Sequence, residues 1–132
     1  YGCIKYLDKY GYPKTVNDLS KHSFISYGRG APSPVFNPDW ALKLGMKDGK
    51  KRKTVMKVNS VYGLLLAVQS GVGIAALPDY LTVNVPNIVK ALPKIEGPIT
   101  EAHFVYPQSL KNVARVQVFR NFLFSKISEW KF

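Results

Sequence analysis

The run Val58-Asn59-Ser60-Val61-Tyr62-Gly63-Leu64-Leu65-Leu66-Ala67-Val68-Gln69-Ser70-Gly71-Val72-Gly73-Ile74-Ala75-Ala76-Leu77-Pro78 decides the fold. Val61, Leu64, Leu65 and Val68 stand at i, i+3, i+4 and i+7, which is one apolar face of a helix. Asn59 and Ser60 both suit the N-cap, where a side-chain oxygen accepts a free N–H. Gly71 suits the left-handed residue that closes a helix. A helix over residues 60–70 is expected. Beyond Gly71 the period changes: residues 72–77 are apolar without alternation, as in a strand buried on both faces. Pro78 and Asp79 then open another short helix.

Upstream, residues 54–58 and 23–27 read as strands, the latter rich in aromatic and β-branched side chains. Gly28, Gly30, Pro32, Pro34 and Pro38 make residues 28–38 a loop. Residues 39–44 allow one helical turn, and residues 45–53 a basic hairpin or loop. Near the start, residues 4–10 read as a helix closed by Gly11, with Pro13 beyond it. Thr15 and Asp18 resemble a capping box, in which the Thr15 hydroxyl accepts a backbone N–H and Asp18 sits at the positive helix end. Downstream, residues 88–92 and 100–106 read as strands. Val116, Phe119, Leu123, Ile127 and Trp130 form a stripe on a helix over residues 113–130. Strands alternating with helices imply an α/β domain with a mainly parallel sheet flanked by helices.

The chain has 132 residues, enough for one domain or one lobe of a larger one. With 46% hydrophobic and 20% charged residues it reads as a soluble globular protein. No apolar run is long enough to span a bilayer, so no membrane partner is expected. The opening Tyr1-Gly2-Cys3 lacks both an initiator Met and a signal-peptide pattern, and is read as an internal cut in a longer protein. Cys3, the one cysteine, builds neither a disulfide framework nor a cysteine metal cluster, and reads as a small apolar residue. The formal net charge of +11 attracts anions. Lys47, Lys50, Lys51, Arg52, Lys53 and Lys57 crowd one stretch against the single acid Asp48. They read as a solvated loop that adds a general pull on anions.

Three patterns occur together in one order. The first is Tyr6-Leu7-Asp8-Lys9-Tyr10-Gly11-Tyr12-Pro13, then Asp18-Leu19, then His22. The second is Val58 to Ser60 with Leu64 and Leu65, leading to Gly71-Val72-Gly73-Ile74-Ala75-Ala76-Leu77-Pro78. The third is Phe104-Val105-Tyr106-Pro107, then Arg115, Val116, Phe119, Phe122 and Leu123. The ordered set resembles the effector-binding domain of LysR-type transcription regulators and spans almost the whole chain. The resemblance implies a type II periplasmic-binding-protein-like fold of two α/β lobes joined by crossing strands, with the effector between them. On that basis residues 1–103 correspond to the second lobe. Residues 104–132 correspond to a crossing strand and the final helix that returns to the first lobe. The first lobe and the DNA-binding helix-turn-helix would lie outside this chain.

Asn59, Ser60 and Val61 stand where a strand ends and a helix begins, so free N–H groups and a positive dipole end meet there. Such a junction suits a carboxylate, sulfate or phosphate, and equally a plain N-cap. Ligands of open α/β sheets sit beyond strand carboxyl ends, and the resemblance places this junction in the effector cleft. Ser26, Tyr27 and Gly28 end the other strand and face the same region by the same rule. Tyr62 is a weaker candidate. Gly71, Gly73 and Ala76 mimic a dinucleotide fingerprint, but a helix precedes and a strand follows, the reverse of what that motif needs. Gly71 is therefore a helix stop, and Gly73 a point of close packing. His22 and His103 lack supporting ligands and read as structural, as does Asp79.

No nucleophile elbow, paired carboxylates, P-loop or zinc motif appears, so no enzyme, metal or cofactor is expected. The expectation is the effector-sensing part of a bacterial LysR-type regulator, cytoplasmic and oligomeric (dimer or tetramer), binding a small anionic metabolite and reaching DNA through the helix-turn-helix. The alternatives are a solute-binding component of a transport system and a basic nucleic-acid-binding module. The aromatic last helix, without a first lobe to cover, is expected to drive dimerisation, segment exchange or aggregation.

Overall fold

The computed structural model describes residues 1–28, 39–99 and 101–130, so the expected loop lies, apart from Gly28, outside the described residues. The chain divides into two compact units, Tyr1–Ile99 and Thr100–Phe132.

In the first unit, β1 (Gly2–Cys3) runs directly into α1 (Ile4–Tyr10). This helix stops at Gly11, whose φ of 90° favours glycine and whose N–H returns to the Leu7 carbonyl at 2.7 Å. A 3₁₀ turn over Asn17–Lys21 follows. Its capping differs from expectation. The Asp18 carboxylate accepts from the Thr15 N–H at 2.9 Å, the Lys14 N–H at 3.2 Å and the Thr15 hydroxyl at 2.9 Å, so Thr15 donates to the acid instead of accepting from the backbone. Next come β2 (Phe24–Tyr27), α2 (Trp40–Lys43), β3 (Thr54–Val58) and α3 (Val61–Gln69), then a 3₁₀ turn at Asp79–Leu81 and β4 (Ile88–Val89). Ser60 is the N-cap of α3, its Oγ accepting the Gly63 N–H at 3.2 Å, and Gly71 at φ 78° ends the helix as read from sequence.

The sheet is small and mixed. β2 and β3 pair in parallel, β1 and β4 antiparallel. The two pairs are linked through residues 74 and 75. The Ile74 N–H donates to Ser23 and the Ile74 carbonyl accepts from Ile25, a parallel bridge to β2, while Ala75 exchanges backbone bonds with Tyr1. The mainly parallel sheet expected from the alternation is thus not the arrangement found. Alternation reports which elements occur, whereas the antiparallel pair depends on residues 2–3 meeting residues 88–89 across most of the unit. Within the run over residues 72–77, Gly73, Ile74, Ala75 and Leu77 are buried and Val72 and Ala76 half-buried, but only Ile74 is bridged as a strand residue.

Neighbouring residues of this layer face opposite ways, so both faces are buried. Phe24 and Ile74 join Tyr6, Leu7, Leu19 and Leu42 on the side of α1 and α2. Ile25 and Ala75 join Leu64, Leu65, Val68 and Leu77 on the side of α3. Leu7 and Val68 are fully enclosed, one in each cluster. Fully burying such a side chain stabilises by about 1.5–3 kcal/mol.

In the second unit a 3₁₀ turn (Gln108–Leu110) precedes α4 (Ala114–Ser128). The expected strand over residues 100–106 is not found among the described residues 101–106, which pair with no neighbour. The ring of Phe104 instead packs near Tyr106 and edge-on to Phe119, with centroids 5.5 and 5.9 Å apart. Along α4 and just beyond, Phe119, Phe122, Phe124, Ile127 and Trp130 are exposed.

Candidate functional site

β2 and β3 run side by side in the same direction and end together. Tyr27 lies in register with Val58, and the Gly28 N–H donates to the Val58 carbonyl at 2.8 Å. The next residues along β3 are Asn59 and Ser60, leading into α3. The Tyr27 hydroxyl donates to the Asn59 carbonyl at 2.9 Å, which clasps one strand end to the other. Gly28 lies close to this junction: a Cβ there would stand 3.6 Å from the Asn59 nitrogen. Gly63, a turn into α3, packs tightly on β3, since a Cβ would meet Val58 Cγ1 at 2.7 Å.

The structure therefore brings Ser26, Tyr27, Gly28, Asn59, Ser60 and Val61 to one end of the parallel pair. Asn59 and Ser60 are exposed, while Tyr27, Gly28 and Val61 are half-buried. Ser60 occupies the cap, so its hydroxyl is already bonded to the helix. Tyr62 is exposed on α3.

Ser26 differs from its neighbours. It lies on the Phe24 face of β2 by strand alternation, toward α2, and is only 5% exposed. There it borders an open cleft of about 440 Å³, lined also by Leu42, Arg52, Lys53, Thr54 and Lys57. Lys51 and Asp39 complete this wall as a pair at 2.6 Å.

Arg52 corrects the reading of residues 47–57 as a solvated loop. It is 9% exposed and its guanidinium is inserted into the fold. Nη1 donates to the Leu44 carbonyl at 2.6 Å and Ala41 at 3.4 Å, Nη2 to Val16 at 3.1 Å, and the group lies 5.6 Å from the Phe24 ring centre. Burial pulls its pKa below the ordinary arginine value. Nothing in the local sequence distinguishes Arg52 from its lysine neighbours, since its acceptors come from three separate positions. Thr54 and Lys57 were likewise not singled out individually as candidates for a site.

The remaining candidates are structural in geometry. His22 packs 5.8 Å from the Tyr6 ring, and partial burial pulls its pKa below the usual histidine value. His103 is exposed, 3.6 Å from Glu101. Asp79 accepts from the Tyr1 hydroxyl at 2.6 Å and from Lys90 at 2.7 Å. Burial would raise its pKa, but these two donors outweigh it and hold the carboxylate below its ordinary range. Among the described residues no cluster of His, Cys, Asp and Glu is placed to hold a metal, and no helix is long and apolar enough to cross a membrane.

Comparison with known proteins agrees with this layout. The family model for the LysR substrate binding domain matches residues 6–127. An uncharacterized HTH-type transcriptional regulator of Haemophilus influenzae is 28% identical over 106 residues, covering 77% of this chain and 35% of that protein. The uncharacterized HTH-type transcriptional regulator YhjC of Escherichia coli is 25% identical over 131 residues, covering 95% of this chain and 42% of that protein. The chain thus spans well under half the length of these relatives. No solved structure matches it. With helices on both faces of a short β layer, two parallel strands ending at a capped helix, and a family match that runs from α1 through nearly all of α4, this chain belongs to the LysR substrate-binding domain family.

Proposed function

We propose that this chain is the effector-sensing part of a cytoplasmic LysR-type transcription regulator. On this reading a small anionic metabolite binds at the joint end of β2 and β3, between this lobe and another. Residues 1–103 act as the lobe, and residues 104–132 lead back to its companion. The observation that carries the reading is the meeting of two parallel strand ends with the N-terminus of α3, where Tyr27, Gly28, Asn59 and Ser60 converge. Helix N-terminal N–H groups favour negative charge, and crevices beyond strand carboxyl ends are where open α/β sheets hold ligands. Four cations, Lys51, Arg52, Lys53 and Lys57, stand on the neighbouring cleft wall and draw anions toward it.

Binding would shift the population of lobe arrangements and so the spacing of DNA-binding domains in a dimer or tetramer. The relatives' names support a regulator over a transport component, and a regulator needs no catalytic group. The test is promoter binding by the full-length gene product across a set of small organic acids. One acid is expected to change DNA affinity or footprint. Asn59→Ala together with Tyr27→Phe should raise the concentration needed by about tenfold, the loss of one to two polar contacts. An unchanged response in that variant would sink the site assignment.

A further inference from the structure

We infer that the cleft on the α2 face of β2 and β3 is an oxyanion subsite, taking a carboxylate or phosphoryl group. Its assigned role, holding the acid group of the effector, rests on the effector-sensing reading. Oxyanion binding itself does not.

The first observation is uncompensated charge. Lys51, Arg52, Lys53 and Lys57 line the cleft with a single carboxylate, Asp39, which is committed to Lys51 at 2.6 Å. Lys53 and Lys57 have no acidic partner among the described residues. Arg52 is buried against backbone carbonyls alone, and its Nε is buried without an acceptor. A buried cation held only by neutral dipoles is costly, and an anion in the adjoining space offsets that cost.

The second observation is Ser26. It is more than nine-tenths buried, and strand alternation turns it toward the cleft. No side-chain hydrogen bond of Ser26 is found among the described residues, and its oxygen is not among the buried atoms left without a partner, so the hydroxyl is open to the cleft. Thr54 on β3 adds a second hydroxyl-bearing residue to the same wall. Lys57 is the register partner of Ser26, so an ammonium and a hydroxyl donor stand side by side on adjacent strands. Two hydroxyl-bearing residues, a fixed guanidinium and two ammonium groups without acidic partners make a wall rich in donors, which favours an oxyanion over a cation. The cleft also meets the strand-end site through Ser26 and Tyr27, so one ligand can span both.

The experiment measures inorganic phosphate binding to the full-length gene product by equilibrium dialysis, with chloride at matched ionic strength as the control. Saturable binding is expected. Lys57→Gln should weaken it by about tenfold or more, the scale of a charge-assisted hydrogen bond, and Ser26→Ala by about fivefold. Lys47→Gln removes the same charge from the basic stretch outside the cleft and should leave affinity within about twofold. Lys57 is exposed, so its variant folds irrespective of Ser26. Displacement by succinate before methyl phosphate marks a carboxylate site and the reverse order a phosphoryl site; both uphold the subsite. Binding that never saturates, or that falls equally in Lys47→Gln and Lys57→Gln, overturns it. Failure of the effector-sensing reading looks different: phosphate binds and responds to Lys57→Gln, yet promoter binding ignores every acid tested.

Discussion

A methyl group on Gly73 would clash with the Ser23 carbonyl oxygen. That oxygen accepts the Ile74 N–H in the bridge to β2, so neither side can yield without breaking the sheet. Gly73→Ala should therefore cost about 3 kcal/mol, the upper end of ordinary overpacking, read as a shift in the urea midpoint. Gly71 has space around it but sits at φ 78°, so Gly71→Ala should cost only about 1 kcal/mol. Both roles, helix stop and close approach, were legible in the sequence because a glycine after a periodic run has few other uses. Asp18 was legible as a cap, but not the direction of its bond with Thr15. Three donors hold its carboxyl down at about 2, the Thr15 hydroxyl foremost, then the Thr15 and Lys14 N–H groups. The folded pKa is depressed, so its contribution to stability is present above the unfolded value near 4 and is lost as pH falls through about 2. A carboxyl-carbon NMR titration should find that low midpoint, and Asp18→Asn should flatten this part of the acid-stability profile. A midpoint near 4 would contradict the geometry.

At the scale of elements, α3 was readable end to end because every signal agreed: an N-cap, a repeat at three and four, and a closing glycine. The strand expected at residues 100–106 had composition alone. A strand exists only through a partner, and within its own unit the described part of this segment has none. Arg52 shows the opposite case, an element tie that no local pattern announces. Its guanidinium joins the backbone at the end of α2 to the Asn17–Lys21 turn by bonding the carbonyls of Leu44, Ala41 and Val16. Arg52→Met keeps much of the apolar stem but leaves those carbonyls without their donor, at a cost of about 3 kcal/mol. Arg52→Lys should recover less than half of this, because one ammonium cannot reach acceptors arranged for a planar fork. Full recovery by lysine would mean that charge, not the fork, holds α2 in place. The same reasoning explains why the basic stretch looked uniform: side-chain chemistry was visible, but the acceptors lie up to 36 positions away.

For the whole molecule, two opposing forces can be compared. The chain carries a formal +11 charge, which keeps copies apart. It also exposes Phe119, Phe122, Phe124, Ile127 and Trp130 along or just beyond α4, the aromatic helix expected from the sequence to lack its cover. A buried Phe side chain gains about 1.5–3 kcal/mol, so two or three meeting a second copy outweigh surface repulsion once that repulsion is screened. The 132-residue chain should therefore self-associate, and more strongly as salt rises. The Debye length shrinks from about 10 Å at 0.1 M to about 3 Å at 1 M, while apolar attraction is not screened. Sedimentation should show Phe122→Glu, alone and with Phe124→Glu, returning the chain to monomer with the folded-state spectrum intact, since both side chains are exposed on the helix. Association that weakens with salt would assign the contact to charge instead, and would point to Lys–carboxylate pairs between copies. Association unchanged in both variants would clear α4 and turn attention to the exposed Val55, Met56, Tyr62 and Leu66 on β3 and α3.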